Sequence, residues 1–142
     1  MMWKPHANEF GVDLISNLRA TLSDSMIDPA AIRQVMINLL RNAFEAVRQR
    51  ERDRSVEIRT RNEADHLVVE VEDNGPGLPA EIRPRLFEAF VSNGKSSGAG
   101  LGLAICHQIV RAHGGSISAD LSRKHGCVFE IALPAVVDRK LL

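Results

Sequence analysis

Apolar residues recur at helical spacing in two parts of this chain and predict two amphipathic helices. The first begins at Asp28-Pro29, where a carboxylate can cap free N–H groups and a proline suits the first helical position, and it extends to about Gln49. The second covers Ala99 to His113 and ends at Gly114-Gly115, since glycine readily adopts the conformation that terminates a helix.

Apolar and polar residues alternate one by one in other segments, which predicts β-strands. The alternation from Gly11 to Ser16 predicts an edge strand, followed by a short strand near Met26-Ile27. Four more strands are predicted in two hairpins, 56–60 with 67–71 and 116–121 with 127–133. The element order ββαββαββ favours an α/β fold: a two-layer sandwich in which the helices cover one face of a mixed, mostly antiparallel sheet.

Composition narrows the class of protein. The 142 residues carry 18 Lys and Arg against 18 Asp and Glu, and 44% are hydrophobic, so we expect a single domain over residues 1–142. Zero net charge and 4% aromatic residues argue against a nucleic-acid partner. Cys106 and Cys127 form no zinc-binding or disulfide pattern. The chain has no apolar run long enough for a membrane span or a signal peptide, so we expect a cytoplasmic domain without direct membrane contact.

Glycines are concentrated in the second half of the chain, and nine of the ten lie between Gly75 and Gly126. The first cluster, Asp73-Asn74-Gly75-Pro76-Gly77, follows a predicted strand. Asp73 continues the inward face of that strand, so its carboxylate is expected on the helix-covered side, where it needs a partner. Two partners fit the sequence: the N–H groups of the following turn, or the amino group of a ligand base.

Two asparagines stand out in the first helix. Asn38 and Asn42 lie four residues apart on one side of this helix, at the border of its apolar stripe. Asparagines at a helix surface are ordinarily solvated, but two aligned amides could also offer carbonyl oxygens to a hard cation such as Mg²⁺. The residues themselves leave both interpretations open.

The second glycine cluster, Gly98-Ala99-Gly100-Leu101-Gly102, leads into the second helix, so its free N–H groups form a candidate anion site. It matches neither the GxGxxG fingerprint of dinucleotide-binding proteins nor the P-loop. Lys95 lies just upstream on a polar loop and is either an ordinary solvated lysine or a contact for a terminal phosphate.

Four segments together resemble the N box, first glycine box, F box and second glycine box of the ATP-binding catalytic domain of sensor histidine kinases. In that order, they are residues 34–43, 73–77, 86–90 and 98–103. His113-Gly114-Gly115 fits the same pattern further along the chain. Over roughly Val12 to Pro134, therefore, the chain resembles the GHKL superfamily, whose members have the Bergerat fold.

This resemblance implies a site for ATP and Mg²⁺. Asp73 would recognise the adenine amino group, Gly75 and Gly77 would shape the adenine pocket, and Asn42 would ligate Mg²⁺. The main-chain amides of the second glycine box would hold the phosphates; its residues are Gly98, Ala99, Gly100, Leu101 and Gly102. Asn38 and Lys95 are the candidate catalytic residues, and both are also candidates for contact with the nucleotide.

The resemblance also bears on the reaction. Phe87 and Phe90, with Val91 beside them, would anchor the base of a short ATP lid at about 91–97. Asn38 stands where hydrolytic relatives carry a glutamate that activates water, and an amide cannot act as a general base. Transfer of the γ-phosphoryl group to a protein is therefore favoured over hydrolysis.

The implied acceptor is a histidine on a separate dimerisation domain, in the same polypeptide or in trans, with a response regulator downstream in two-component signal transduction. None of the five histidines in this chain has the sequence setting of a phosphoacceptor, so we expect the chain alone to bind ATP without transferring phosphate. Two alternatives are an anti-sigma-factor-type serine kinase and a nucleotide-binding interaction module without transfer activity.

Overall fold

The computed structural model of this protein describes residues 11–18, 28–88, 102–120 and 125–134. Its elements, in chain order, are β1 (Val12–Leu18), α1 (Pro29–Val47), β2 (Arg54–Glu63), β3 (His66–Asp73), a 3₁₀ turn (Arg83–Arg85), α2 (Gly102–Ala112), β4 (Ser116–Ala119) and β5 (Cys127–Pro134). The short strand predicted near Met26-Ile27 and the predicted loop at 92–97 lie outside these residues. No helix in the described part of the chain is long and apolar enough to cross a membrane.

The five strands form one sheet in the order β1-β2-β3-β5-β4. β1 runs parallel to β2 at one edge, and the other three pairings are antiparallel. This confirms the predicted edge strand, both predicted hairpins and the mixed, mostly antiparallel sheet. The first hairpin is tighter than predicted, because β2 and β3 extend to Glu63 and His66 and leave only Ala64 and Asp65 in the turn.

Both helices pack on one face of the sheet, as the predicted two-layer sandwich requires. The shared core takes its apolar side chains from α1, α2 and the inward positions of the strands. Those with almost no exposed surface include Val35, Leu39, Val47, Val56, Val71, Val110, Ile131 and Leu133. The core therefore fixes both helices relative to the end of β3, where Asp73 lies.

Ion-paired side chains cover part of the opposite face of the sheet. Arg59 lies 2.8 Å from Glu57, 2.8 Å from Glu72 and 3.0 Å from Glu70. Arg61 pairs with Glu63, Glu70 and Glu130. Val68 and Val128 are buried outside the main core, on the same face of the sheet as these ion pairs.

The start of α1 has the cap that its sequence predicts. Asp28 Oδ1 accepts hydrogen bonds from the N–H groups of Ala30 at 3.0 Å and Ala31 at 3.5 Å, and Pro29 occupies the first helical position. The helix ends at Val47, two residues before the predicted end.

Replacing Asp28 by Ala is expected to lower the free energy of unfolding by about 1 kcal/mol, because two N–H groups at the start of α1 lose their acceptor. Urea unfolding at neutral pH measures this difference. Asp28→Asn is the matched control, since it keeps the acceptor oxygen and should stay close to the original stability. Equal losses in both variants would mean that the charge, and not the cap, is what stabilises this helix.

The end of α2 also follows its sequence. Gly114 has a positive φ of 74°, the Gly115 N–H donates to the carbonyl of Val110, and the Gly114 N–H donates to that of Arg111. This is the glycine-terminated end that Gly114-Gly115 predicts. Beside it, His113 Nε2 accepts from the Asp28 N–H at 3.2 Å while Nδ1 lies 2.8 Å from the Ile109 carbonyl, so the end of α2 contacts the start of α1.

Candidate functional site

Asp73 is the last residue of β3 and is buried, with 5% of its surface exposed. Its Oδ1 accepts from the Gly75 N–H at 2.9 Å. Burial raises the pKa of the carboxyl to about 6; the Gly75 hydrogen bond opposes this shift and the nearby Glu72 charge adds to it. An N–H group of the following turn is thus one partner of the carboxylate, which is one of the two partners predicted from the sequence. No other donor in the described part of the chain bonds to this carboxylate, so it retains capacity to accept from a ligand.

The turn after Asp73 lies directly against α1. A Cβ atom at Gly75 would be 2.8 Å from the carbonyl oxygen of Ala46, which no side chain tolerates. Gly77 has a positive φ of 86°, a conformation that glycine adopts at little cost. The backbone therefore explains why glycine stands at both positions. The contribution of these glycines to an adenine pocket stays a prediction.

Gly126 is a residue of this site that sequence reasoning missed. Its N–H donates to the Gly75 carbonyl at 2.7 Å, its φ is 74°, and a Cβ atom there would collide with the Asp73 carbonyl oxygen. The sequence showed only a glycine in a predicted turn. Its link to Asp73 follows from the pairing of β3 with β5, where Asp73 is opposite Cys127.

Asn74 has a structural task within the same motif. Its Oδ1 accepts from the Ser55 N–H at 2.9 Å and its Nδ2 donates to the Asp53 carbonyl at 2.6 Å. These bonds tie the turn to the beginning of β2 and help to fix where Asp73 ends its strand.

The two asparagines of α1 differ in environment. Asn42 is half-buried, whereas Asn38 is only 7% exposed. Asn38 Oδ1 accepts from Gln34 Nε2 at 3.0 Å, and its Nδ2 donates to the Gly102 carbonyl at 3.2 Å. The interpretation of Asn38 as an ordinary solvated asparagine is therefore wrong, because α2 packs over it. Its catalytic and nucleotide-binding functions stay predictions, as does Mg²⁺ ligation by Asn42.

The second glycine cluster is described only at its last residue. Gly102 is the first described residue of α2, and a Cβ atom there would meet no atom of the described residues within 4 Å. The N–H groups of a first helical turn have no intrahelical acceptor and favour an anion. Gly98, Ala99, Gly100, Leu101 and Lys95 lie outside the described residues, and their predicted contacts with phosphate stay predictions.

The predicted base of the lid is described at Phe87. Its ring stacks on His107 of α2 with centroids 5.5 Å apart and meets Phe129 of β5 edge to face at 6.4 Å. Leu86 beside it is buried in the core. Phe87 is thus anchored between α2 and the sheet, while Phe90 and Val91 lie outside the described residues.

One helix connects the two halves of the candidate site. The turn with Asp73 and Gly75 packs on α1 at Ala46, and the start of α2 is bonded to α1 at Asn38. Eight residues of helix separate these two points, which is about 12 Å. The buried carboxylate of Asp73 and the described beginning of α2 are thus held at two places along α1.

Comparison with known proteins assigns the family. The model of the histidine kinase-, DNA gyrase B- and HSP90-like ATPase family matches residues 27–137. The chain is 37% identical over 129 residues to the sensor protein FixL of Bradyrhizobium diazoefficiens, covering 91% of this chain and 25% of FixL. It is 35% identical over 124 residues to the histidine-protein kinase AtoS of Escherichia coli, covering 87% of this chain and 20% of AtoS. The chain thus spans a quarter or less of these relatives.

Solved structures agree with this assignment. The catalytic domain of histidine kinase ThkA superposes with a TM-score of 0.79 at 28% identity, covering 94% of this chain and 86% of that domain. Full-length ShkA in complex with AMPPNP superposes with a TM-score of 0.80 at 28% identity, covering 96% of this chain and 28% of ShkA. The resemblance drawn from the four motifs is confirmed, and the chain belongs to the histidine kinase-, DNA gyrase B- and HSP90-like ATPase family, with the ATP-binding catalytic domains of sensor histidine kinases as its counterparts.

Proposed function

We propose that this chain is a single ATP-binding domain that holds Mg·ATP and donates the γ-phosphoryl group to a histidine on a dimerisation domain, in the same polypeptide or in trans. The protein would act in cytoplasmic two-component signalling, with a response regulator as the next acceptor. The observation that carries the proposal is the buried Asp73, which ends a central strand beside α1 and has acceptor capacity left. A histidine kinase has been solved together with its response regulator, ThkA with TrrA, which supports this choice of partner.

The adenine end of the site is supported by charge and shape. An ionised Asp73 accepts hydrogen bonds only, so it pairs with an exocyclic amino group and disfavours a carbonyl oxygen at the same position. Gly75 keeps the turn close to α1, and Gly77 allows the backbone to turn away through a positive φ. This end of the site therefore selects adenine over guanine.

The phosphate end is supported by the helix start and by Asn42. Mg²⁺ prefers oxygen ligands, keeps several waters, and binds with few protein groups when substrate phosphates supply the rest. The half-buried amide of Asn42 fits one such ligand position on α1, and the first-turn amides of α2 suit phosphate oxygens. When bound, the ion neutralises charge that develops on the transferring phosphoryl group. We propose that the amides of residues 98–102 and Lys95 complete this end.

The proposed reaction requires little chemistry from the domain itself. A neutral imidazole nitrogen of the acceptor attacks the γ-phosphorus, the bond to the bridging oxygen breaks, and ADP leaves with that oxygen. The domain contributes position and charge, and Asn38 cannot activate water as a glutamate would. Slow hydrolysis and efficient transfer follow from the same residues.

Calorimetric titration of the folded chain with ATP, with and without Mg²⁺, tests the first half of the proposal. We expect binding in the micromolar to millimolar range, tighter with Mg²⁺, and tighter for ATP than for GTP. Absence of binding by both nucleotides would overturn it.

Mixing the ATP-loaded chain with a histidine-bearing dimerisation domain tests the second half. Acid-labile, base-stable phosphate on that domain is the expected product. Serine phosphate on a partner protein would favour the serine kinase, and nucleotide binding without transfer to any of a panel of such domains would favour the interaction module.

A further inference from the structure

Asn38 is a buried polar side chain whose amide oxygen and amide nitrogen both form hydrogen bonds within the protein. Gln34 donates to its oxygen, and its nitrogen donates to the main-chain carbonyl of Gly102, 64 residues further along. Cys106 of α2 lies beside it, and the Cys106 Sγ also lies 3.7 Å from the Val35 carbonyl. Burial raises the pKa of this thiol to about 11, with the Asn38 hydrogen bond opposing the shift, so the group that faces Asn38 is neutral.

The bond between Asn38 and Gly102 joins the two helices of the candidate site at a particular point. Gly102 is the first described residue of α2, so the bond fixes the end of the helix that follows the second glycine cluster. Asn42, the proposed metal ligand, is one turn further along α1. The position of this end of α2 relative to Asn42 is thus set by the Asn38 hydrogen bonds to Gly102 and Cys106, by the contact of Cys106 with Val35, and by the apolar packing around them.

We propose that Asn38 is a positioning residue, which holds the start of α2 at a fixed distance from Asn42. This distance would allow the phosphate chain and its metal ion to bind at the same time. This inference rests on the proposed function. It assigns to Asn38 a task that needs no contact with the nucleotide, and it explains the residue type by its hydrogen bonds to the protein.

An amide of this length meets two requirements at position 38. The side chain must accept from Gln34 and donate to a carbonyl, and Asn does both with one rigid group. A carboxylate at position 38 would place an oxygen against the Gly102 carbonyl oxygen with no proton between them. Such an unsatisfied buried contact costs more than the original hydrogen bond contributes.

The test compares Asn38→Asp with Gln34→Ala in the folded chain. Asn38→Asp keeps size and the acceptor but loses the donor, so the start of α2 should shift. We expect ATP affinity to fall about tenfold, equally with and without Mg²⁺, which corresponds to a loss of about 1.4 kcal/mol. Affinity for adenosine, which lacks phosphates, should not change. Gln34 is exposed, so Gln34→Ala should remain folded and show the same pattern at a few-fold smaller size.

A variant that remains folded but loses affinity for ATP and for adenosine in equal measure would overturn the proposal, because the effect would then not be confined to the phosphate end of the site. If Asn38 were a metal ligand, the carboxylate of the Asp variant would keep or strengthen Mg²⁺-dependent ATP binding, which would also overturn it. If Asn38→Asp does not fold, the ATP affinity of Gln34→Ala becomes the test of the proposal. An unchanged ATP affinity in that variant contradicts the proposal.

The carbonyl ¹³C shift of Gly102 provides a measurement without nucleotide. Loss of a hydrogen bond from Asn38 should move this resonance upfield in Asn38→Asp, whereas an unmoved resonance means that the bond does not exist in solution. Because no ATP is present, this result stands even if the chain proves not to bind ATP. Failure of the positioning bond and failure of the proposed function are therefore distinguishable.

Discussion

Replacing Asp73 by Asn is expected to reduce ATP affinity by about a hundredfold or more while making the folded chain more stable at pH 8. The amide retains an oxygen that can accept from the Gly75 N–H, so the turn keeps its bond. It cannot present two charged acceptor oxygens, and in this arrangement its NH₂ group would face the amino group of adenine, which is also a donor. A lost charged hydrogen bond and a new unpaired donor together are worth about 3 kcal/mol, which corresponds to about a hundredfold in affinity.

The gain in stability follows from the raised pKa of Asp73, which burial moves from 3.8 to about 6. Because the folded state holds this proton more tightly than the unfolded state, unfolding becomes easier as pH rises between these two values. Above pH 6 the ionised carboxylate costs the folded state about 2–3 kcal/mol, which the neutral amide does not. Below pH 3.8 the side chain is protonated in both states, and the stability difference between the two proteins disappears.

Urea unfolding of both proteins at several pH values between 3 and 8, together with ATP calorimetry at pH 8, measures these two effects. Asp65→Asn is the matched control, because Asp65 lies in the exposed turn between β2 and β3 and should change neither quantity. Unchanged ATP affinity in Asp73→Asn would remove the adenine assignment. A loss of stability at pH 8 would instead make Asp73 a structural residue whose charge the fold requires.

The elements that sequence predicted well are those whose signals are local. Spacing of apolar residues and Asp28-Pro29 placed α1 within two residues at its end, and alternation placed Asp73 on the helix-covered face at the end of β3. Both depend on neighbours within a few positions along the chain. The glycine pair that ends α2 is predictable for the same reason.

The features that sequence did not reveal depend on long-range packing. Asn38 lies at the border of the apolar stripe, and only the position of α2 decides that it is buried. Gly126 acquires its importance from the pairing of β5 with β3, whose residues are more than fifty positions apart. Parallel pairing of β1 with β2 likewise cannot be read from either strand. Residues such as these complete the site but carry no local signal of their own.

Replacing Gly126 by Ala is expected to lower the free energy of unfolding by about 2–4 kcal/mol and to weaken ATP binding in the protein that remains folded. The new Cβ would collide with the Asp73 carbonyl oxygen, so β5 and the end of β3 must separate. The hydrogen bond from the Gly126 N–H to the Gly75 carbonyl is then lost, and the turn that positions Asp73 loses its attachment to β5.

Gly114→Ala separates the two causes of this destabilisation. Gly114 has the same φ of 74°, but its Cβ would lie 3.7 Å from Pro134, an ordinary contact. Its cost is therefore that of the left-handed backbone alone, about 1–2 kcal/mol, and ATP affinity should not change. Urea unfolding and calorimetry at a temperature where both variants are folded give the comparison. Equal losses of stability in the two variants, with equal ATP affinities, would show that the approach of β5 to Asp73 does not shape the site.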